Sequence, residues 1–429
     1  MKNVEQLHRE VAVAIVGAGA AGLAAAHMLA RANIPYLLVD GRARLGGRAF
    51  TETVNKAPLD LGCGWLHSAN KNPWAAIAYK LSFHIDKTKP PWEDQSCDQG
   101  MSPAEQEEFQ QAFADFEARV DKADLREDRA AAALLDPASR WNPLIDAICT
   151  YLNGAELKDV SAADYQNYQD TDINWRIKEG YGALIGAYGA SLPVALRTRV
   201  LCINHDGGTL KLVTDRGDIH AQQVIVTVPT TALASEMLRF APELPDKIEA
   251  AHRLPLGLVN KLFLSCDRPA MFPSDGHFFG DWHTAATGSY HLKPFGHPVI
   301  EVFVAGALAR DLAADGAKAH GDFAVGELVK LLGSDVRKHL RPVTQSAWHD
   351  DPFVRGSYSY AEVGCAGARE TLARAVDDRL FFAGEACSVR AFATAHGAFQ
   401  TGVAAARALI ATRAPSRAFK SGLHFSLDP

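Results

Sequence analysis

Val11-Ala12-Val13-Ala14-Ile15-Val16-Gly17-Ala18-Gly19-Ala20-Ala21-Gly22-Leu23 is the stretch that decides the fold. An apolar run rich in β-branched residues stops at a glycine, and helix-forming residues follow as far as Arg31. Ile34 to Val39 is a second apolar run, closed by Asp40. Strand, glycine turn, helix, strand is a βαβ unit with a parallel strand pair. In Gly17-x-Gly19-x-x-Gly22, Gly17 permits the tight turn and Gly19 lets backbone approach a pyrophosphate. Gly22 allows close helix–strand packing. Ala21 lies in the same turn, where the helix N-terminus favours an anion. Asp40 is placed to accept hydrogen bonds from ribose hydroxyls. Taken alone, the fingerprint admits NAD, FAD or a ligand-free turn.

Outward from Asp40 the chain reads Gly41-Arg42-Ala43-Arg44-Leu45-Gly46-Gly47-Arg48. The second glycine pair, Gly46-Gly47, extends the site along a longer cofactor. Arg42 and Arg48 offer charge-assisted bonds to phosphate; Arg44 reads as a surface arginine. Far along the chain, Phe381-Phe382-Ala383-Gly384-Glu385 is a strand running into a Gly-acid pair. Thr394-Ala395 then opens a helix that continues through His396 and Phe399. A helix N-terminus there would stabilise negative charge on a reduced flavin. These additions select FAD over NAD.

The bulk properties limit the partners. The chain has 429 residues, long enough for two or three lobes. Hydrophobic residues make up 48% and charged residues 22%, a globular composition. The formal charge is -6, with no block of one sign, which argues against nucleic acid or an anionic membrane as a partner. No stretch approaches the roughly 20 apolar residues of a membrane span. The N-terminal Met1 to Glu10 has no signal-peptide run, and the tail from Ser416 to Pro429 is too short and mixed for an anchor. The 7 cysteines contain no C-x-x-C pair. They read as reduced thiols of a cytoplasmic protein, without a disulfide framework or metal site.

Further elements follow from pattern. Ser102-Pro103-Ala104-Glu105 opens one or two exposed helices reaching to Leu135. Strands are expected at Val200 to Ile203, Leu210 to Thr214, Val224 to Val228, Asn260 to Ser265, Val299 to Val304 and Leu380 to Ala383. Helices are expected at Phe323 to Leu332, Ala366 to Ala375 and Ala395 to Ile410.

In combination these segments resemble the flavin amine oxidase family, which includes monoamine oxidases, polyamine oxidases and lysine-specific histone demethylases. The resemblance rests on Gly17 to Gly22, Asp40 to Arg48, Leu59 to His67 and Val226-Thr227-Val228-Pro229. It continues through Lys261, Trp348 to Tyr360 and Phe381 to Gly402. No family motif is matched between Pro90 and Asn174. The resemblance implies an α/β fold: a discontinuous Rossmann-like FAD domain (1-80, 177-250 and 371-415) and a mixed-sheet α+β substrate domain (81-176 and 251-370). It also implies cofactor contacts at Gly64, Trp65, the backbone of Val200, Glu385, Thr394 and Ala395. The family often attaches flavin to a cysteine where this chain has Ser357. Serine cannot form that thioether, so the FAD is expected to be non-covalent.

The same resemblance implies the reacting centre. Lys261 sits in the apolar strand Val259 to Leu264, where an unpaired lysine is costly to bury. In the family such a lysine is linked through water to flavin N5; otherwise it would be an edge-strand lysine reaching for water. Tyr358 and Phe399 match the two aromatic walls beside the amine, attracting a cation by about 0.5–2 kcal/mol. His67 is a candidate for positioning substrate. Glu179 could face a second amine but reads better as a loop carboxylate, and Trp348 as structural. The expected reaction takes a small amine to an imine, then an aldehyde or ketone, with hydride passing to flavin and O2 becoming H2O2. The alternatives are an amine dehydrogenase, an amino-acid oxidase using Arg176, Arg253 or Arg355, a demethylase, and a flavin-binding scaffold without turnover. A homodimer is left open.

Overall fold

The computed structural model describes residues 9–93, 100–316 and 318–413. Met1 to His8, Cys97 and the tail from Ser416 lie outside the described residues. The glycine turn lies where the sequence puts it. Strand Arg9–Val16 leads into helix Ala20–Arg31, and strand Tyr36–Val39 returns parallel to the first, with Val13 opposite Tyr36 and Val16 opposite Val39. Val13, Ile15 and Leu23 are fully buried, so the apolar runs are core runs.

The sheet built on this unit has eight strands drawn from distant parts of the chain. The long strand Gly217–Val226 organises it. One edge pairs in parallel with Arg9–Val16. The other edge pairs antiparallel with Leu210–Thr214, then in parallel with Leu380–Phe382 through Val224 to Val226. That handover brings Gly384 and Glu385 beside the glycine turn. Apolar clusters cover both faces; one includes Leu23, Leu29 and Leu409, the other Val16, Ile219 and Phe382. This two-sided burial explains why the parallel strands read as continuous apolar runs.

A second, antiparallel sheet has five strands in the order Gly276–Phe279, Ser289–Leu292, Val299–Ala305, Val259–Cys266, Leu340–Gln345. The architecture is therefore the expected α/β one with a second mixed α+β part. The strand carrying Lys261 is interior to this sheet, which excludes an edge-strand lysine.

Helix Pro103–Lys122 has the expected cap: Ser102 accepts from the Glu105 backbone and Glu105 returns a bond to the Ser102 backbone. The expectation of an exposed helix is only half correct. Phe109, Phe116 and Val120 are buried in a cluster with Trp141, Leu144 and Trp282. The high charge on the remaining faces masked that stripe.

Candidate active site

A cavity of about 1150 Å³ joins the two sheets, and its lining draws on residues from Val16 to Ala398. At one end lies the glycine turn. Thr227 Oγ1 donates to the carbonyls of Val16 and Gly17 at 2.9 and 3.0 Å, pinning the turn to the neighbouring strand. A Cβ on Gly22 would lie 1.8 Å from the Gly17 oxygen, so Gly22 serves packing and does not line the cavity. A Cβ on Gly19 would meet nothing nearer than 3.9 Å. Gly19 thus leaves space in front of the helix N-terminus, where no side chain caps the free N–H groups. That arrangement fits a pyrophosphate.

Asp40 closes this end. Its two oxygens accept from the Ala18 and Arg42 backbone N–H groups, each at 2.7 Å. Each oxygen retains acceptor capacity for a hydroxyl. Burial pushes the carboxyl up from its ordinary value. Gly41, Gly46, Gly47 and Val200 line the same wall. Arg42 also lines it, but its guanidinium grips Asp351 at 2.5 and 2.7 Å. Arg48 donates to Ser357 O and Glu385 Oε1, both at 2.8 Å. Both arginines are thus held in place, and their charge is already partly neutralised. Arg44 is not a plain surface arginine. It is half-buried over the Phe50 ring, donates to Leu45 O and Ala49 O, and lies outside the lining.

Glu385 is only 5% exposed. Burial pushes its carboxyl up, but Arg48 and Arg369, with bonds from Arg48 and Ser359, outweigh this and hold it below its ordinary value. Its second oxygen accepts from Ser359 Oγ at 2.7 Å and Ala393 N at 2.8 Å. It is a fixed anion at the cavity wall.

At the other end Lys261 reaches the lining with 6% exposure. Its ammonium donates to Asp60 O at 3.0 Å and pairs with Glu301 at 2.9 Å, over the Phe303 ring. A Cβ on Gly64 would come within 3.1 Å of Nζ, so glycine there leaves room for the ammonium. Tyr358 lines the cavity and donates its hydroxyl to the Tyr151 carbonyl. Trp65 and His67 line it too, with His67 Nδ1 2.7 Å from Asn174 Oδ1. Thr394 caps the closing helix Ala395–Arg413 by accepting from Gly397 N at 3.0 Å.

Phe399 is placed differently from the expectation. Ala395 and Ala398 share the helix face that lines the cavity. One residue further rotates the side chain by about 100°. Phe399 therefore points into the core, 5.3 Å from Trp74 and 6.0 Å from Tyr188. The cavity has a methyl group where a second aromatic wall was expected.

Comparison with known proteins decides the family. The model for flavin-containing amine oxidoreductases matches residues 102–410, and one for an NAD(P)-binding Rossmann-like domain matches 15–80. The chain belongs to the flavin-containing amine oxidoreductase family. It is 29% identical to polyamine oxidase 3 of Oryza sativa subsp. japonica, over 94% of this chain and 90% of that protein. It is 30% identical to a lysine-specific histone demethylase 1 homolog of the same plant, over 91% of this chain but only 51% of that longer protein. In fold it resembles a putrescine oxidase whose solved structure holds putrescine, with a TM-score of 0.73 at 17% identity, covering 94% of this chain and 99% of the other.

The family model runs through most of the stretch where no motif was matched, and that stretch builds the rest of this amine oxidoreductase's cavity. Phe109, Gln110, Phe113 and Glu117 of helix Pro103–Lys122 line it, opposite His277 and Phe279 of the second sheet. Burial pushes His277 down to about 3, so its imidazole is neutral. Trp348 donates to Leu61 O at 2.9 Å, a structural bond, although it also borders the cavity. Glu179 lies on an exposed loop, bonded to His84. Sequence reading missed Glu301. The signal was present: a carboxylate inside the apolar run Val299–Ala305 mirrors the lysine inside Val259–Cys266.

Proposed function

We propose that this protein oxidises a small amine with non-covalently bound FAD, giving an imine that water converts to an aldehyde or ketone. The observation that carries this reading is a single cavity with a dinucleotide turn at one end and Lys261 and Tyr358 at the other. When bound, the flavin supplies the hydride acceptor. Gly17, Gly19, Ala21, Asp40, Gly41, Gly46 and Gly47 would hold the pyrophosphate and ribose end. Arg48, Glu385, Gly64, Trp65, Val200, Thr394 and Ala395 would hold the remainder. Ser357 is occupied by Val259, accepting from its N–H and donating to its carbonyl at 2.8 Å each, and offers no attachment point. Burial pushes the thiol of Cys63, which also lines the cavity, up to about 12, so it is no nucleophile either.

Lys261 holds a positive charge at the reacting end, and the Tyr358 ring offers an apolar face to the amine. Glu117, Asp121, Asp170 and Asp172 also line the cavity, and all four are exposed at its mouth. They favour a substrate with a second cationic group, such as a diamine or polyamine. An amino-acid substrate fits less well. Arg176 is locked between Asp86 and Asp275, and Arg253 between Glu249 and Glu362. Molecular oxygen is the proposed electron acceptor, leaving as hydrogen peroxide, and the free described cysteines suit a cytoplasmic setting.

The test is anaerobic addition of putrescine, spermidine, spermine or benzylamine to the yellow holoprotein. At least one should bleach it, and air should then restore the colour with release of one peroxide per amine. Bleaching without peroxide would indicate a dehydrogenase. No bleaching by any amine would remove the proposal.

A further inference from the structure

Lys261 begins a buried row of alternating charge. Glu301 Oε1 lies 2.9 Å from Nζ, and Glu301 Oε2 lies 3.4 Å from His291 Nδ1. His291 Nε2 lies 3.2 Å from Asp275 Oδ1. Asp275 is gripped by Arg176 at 2.6 Å, and Arg176 grips Asp86 at the same distance. Lys261, Arg176, His291 and Glu301 are each less than a tenth exposed, whereas Asp275 reaches the surface. The row crosses from the second sheet to the short strands Trp175–Ile177 and Ile85–Asp86.

We propose that Glu301 and His291 are positioning residues that hold the Lys261 ammonium at the cavity wall. A lysine has several rotatable bonds, and one carbonyl does not fix its end. Glu301 supplies the opposing charge, and His291 fixes the second oxygen of Glu301. A buried carboxylate with a single partner is poorly compensated; a second donor completes its bonding. The inference rests on the reading of Lys261 as a residue acting at the flavin.

The charges in the row match this role better than proton transfer. Burial pushes Glu301 up, but Lys261 and His291 outweigh it and hold it down at about 2. Such a carboxylate stays ionised and is a poor resting place for a proton. Burial pushes the His291 imidazole down, but Asp275 and Glu301 outweigh it and raise it above its ordinary value. The groups facing His291 are Glu301, Asp275, Arg176, the neutral His277 opposite it on the adjoining strand, and the Trp65 ring. Lys261 faces Asp60, Glu301 and the Phe303 ring. The clamp is thus complete while His291 is protonated and loosens as pH rises through its raised value.

The experiment compares FAD-loaded wild type, Lys261→Met, His291→Asn and Glu301→Asp. Asparagine retains a donor near Nδ1 without the charge, and aspartate retains the charge with a shorter reach. Two quantities are followed from about pH 6, near the ordinary imidazole value, up to about pH 10: the limiting rate of anaerobic flavin reduction by spermidine, and the visible absorption of the oxidised flavin without substrate. Wild type should show an alkaline fall in rate and a matching spectral change. His291→Asn should retain FAD and half-saturation, lose about tenfold or more in limiting rate, and lose both alkaline transitions. Glu301→Asp should fall between the two, and it carries the test if His291→Asn does not fold. Wild-type rates and transitions in both variants, with Lys261→Met slow, would overturn the positioning role alone. A Lys261→Met protein that reduces and reoxidises like wild type would overturn the reading of Lys261, and this inference with it.

Discussion

Gly22 shows what a single residue decides. Its missing side chain lets the helix start pack directly on the turn, and an added Cβ would sit 1.8 Å from a backbone oxygen. Backbone cannot yield as a flexible side chain can, so the helix must shift. Gly22→Ala is expected to cost about 1–3 kcal/mol and to weaken FAD binding more than tenfold; flavin retained on gel filtration beside wild type checks this, and full retention would sink it. Constraints of this kind were legible because they are local: Gly17, Gly19 and Gly22 sit within one turn. Phe399 was misread because a helix turns about 100° per residue, and a motif match off by one position exchanges the cavity for the core. Lys261 and Glu301 each stand out in an apolar strand, but they lie on separate strands, and no local pattern reveals the register that pairs them.

Helix Pro103–Lys122 illustrates the same division at the scale of an element. Its start was readable from Ser102 and Pro103, because capping is local chemistry. Its packing was not, since three buried residues are a thin stripe among many charges. Neighbouring side chains of the helix serve two purposes, since Phe113 packs on the same cluster as Phe116. Phe116 is fully buried and holds the helix to Trp141 and its neighbours. Phe113 lines the cavity. Phe116→Ala should cost about 3–5 kcal/mol, seen as a lower denaturation midpoint. Phe113→Ala should cost less and instead change half-saturation for the best amine, with a smaller effect on the limiting rate. Equal melting of the two variants, or unchanged amine preference in Phe113→Ala, would show that the two roles are assigned wrongly. Short strands such as Gly276–Phe279 and Ser289–Leu292 went unread because they are brief and almost wholly buried, all but Ser289, leaving no alternation to detect.

For the whole molecule, the strand handover along Gly217–Val226 has a consequence for stability. It brings Glu385, from near the end of the chain, against Arg48, from near its start. The cavity wall therefore exists only when distant segments are assembled together. A cofactor bound there binds the folded state and not the unfolded one. At a free concentration 100 times its dissociation constant, it adds about 2.7 kcal/mol. On the proposed non-covalent binding, that stabilisation is removable. Stripped protein should melt at a lower temperature than holoprotein, added FAD should restore the difference in a concentration-dependent way, and flavin release should coincide with loss of helix. Acid precipitation should leave the yellow colour in the supernatant. Flavin that remains in the pellet would mean a covalent attachment. Identical melting with and without FAD would mean that the cofactor does not bridge the segments that build the cavity.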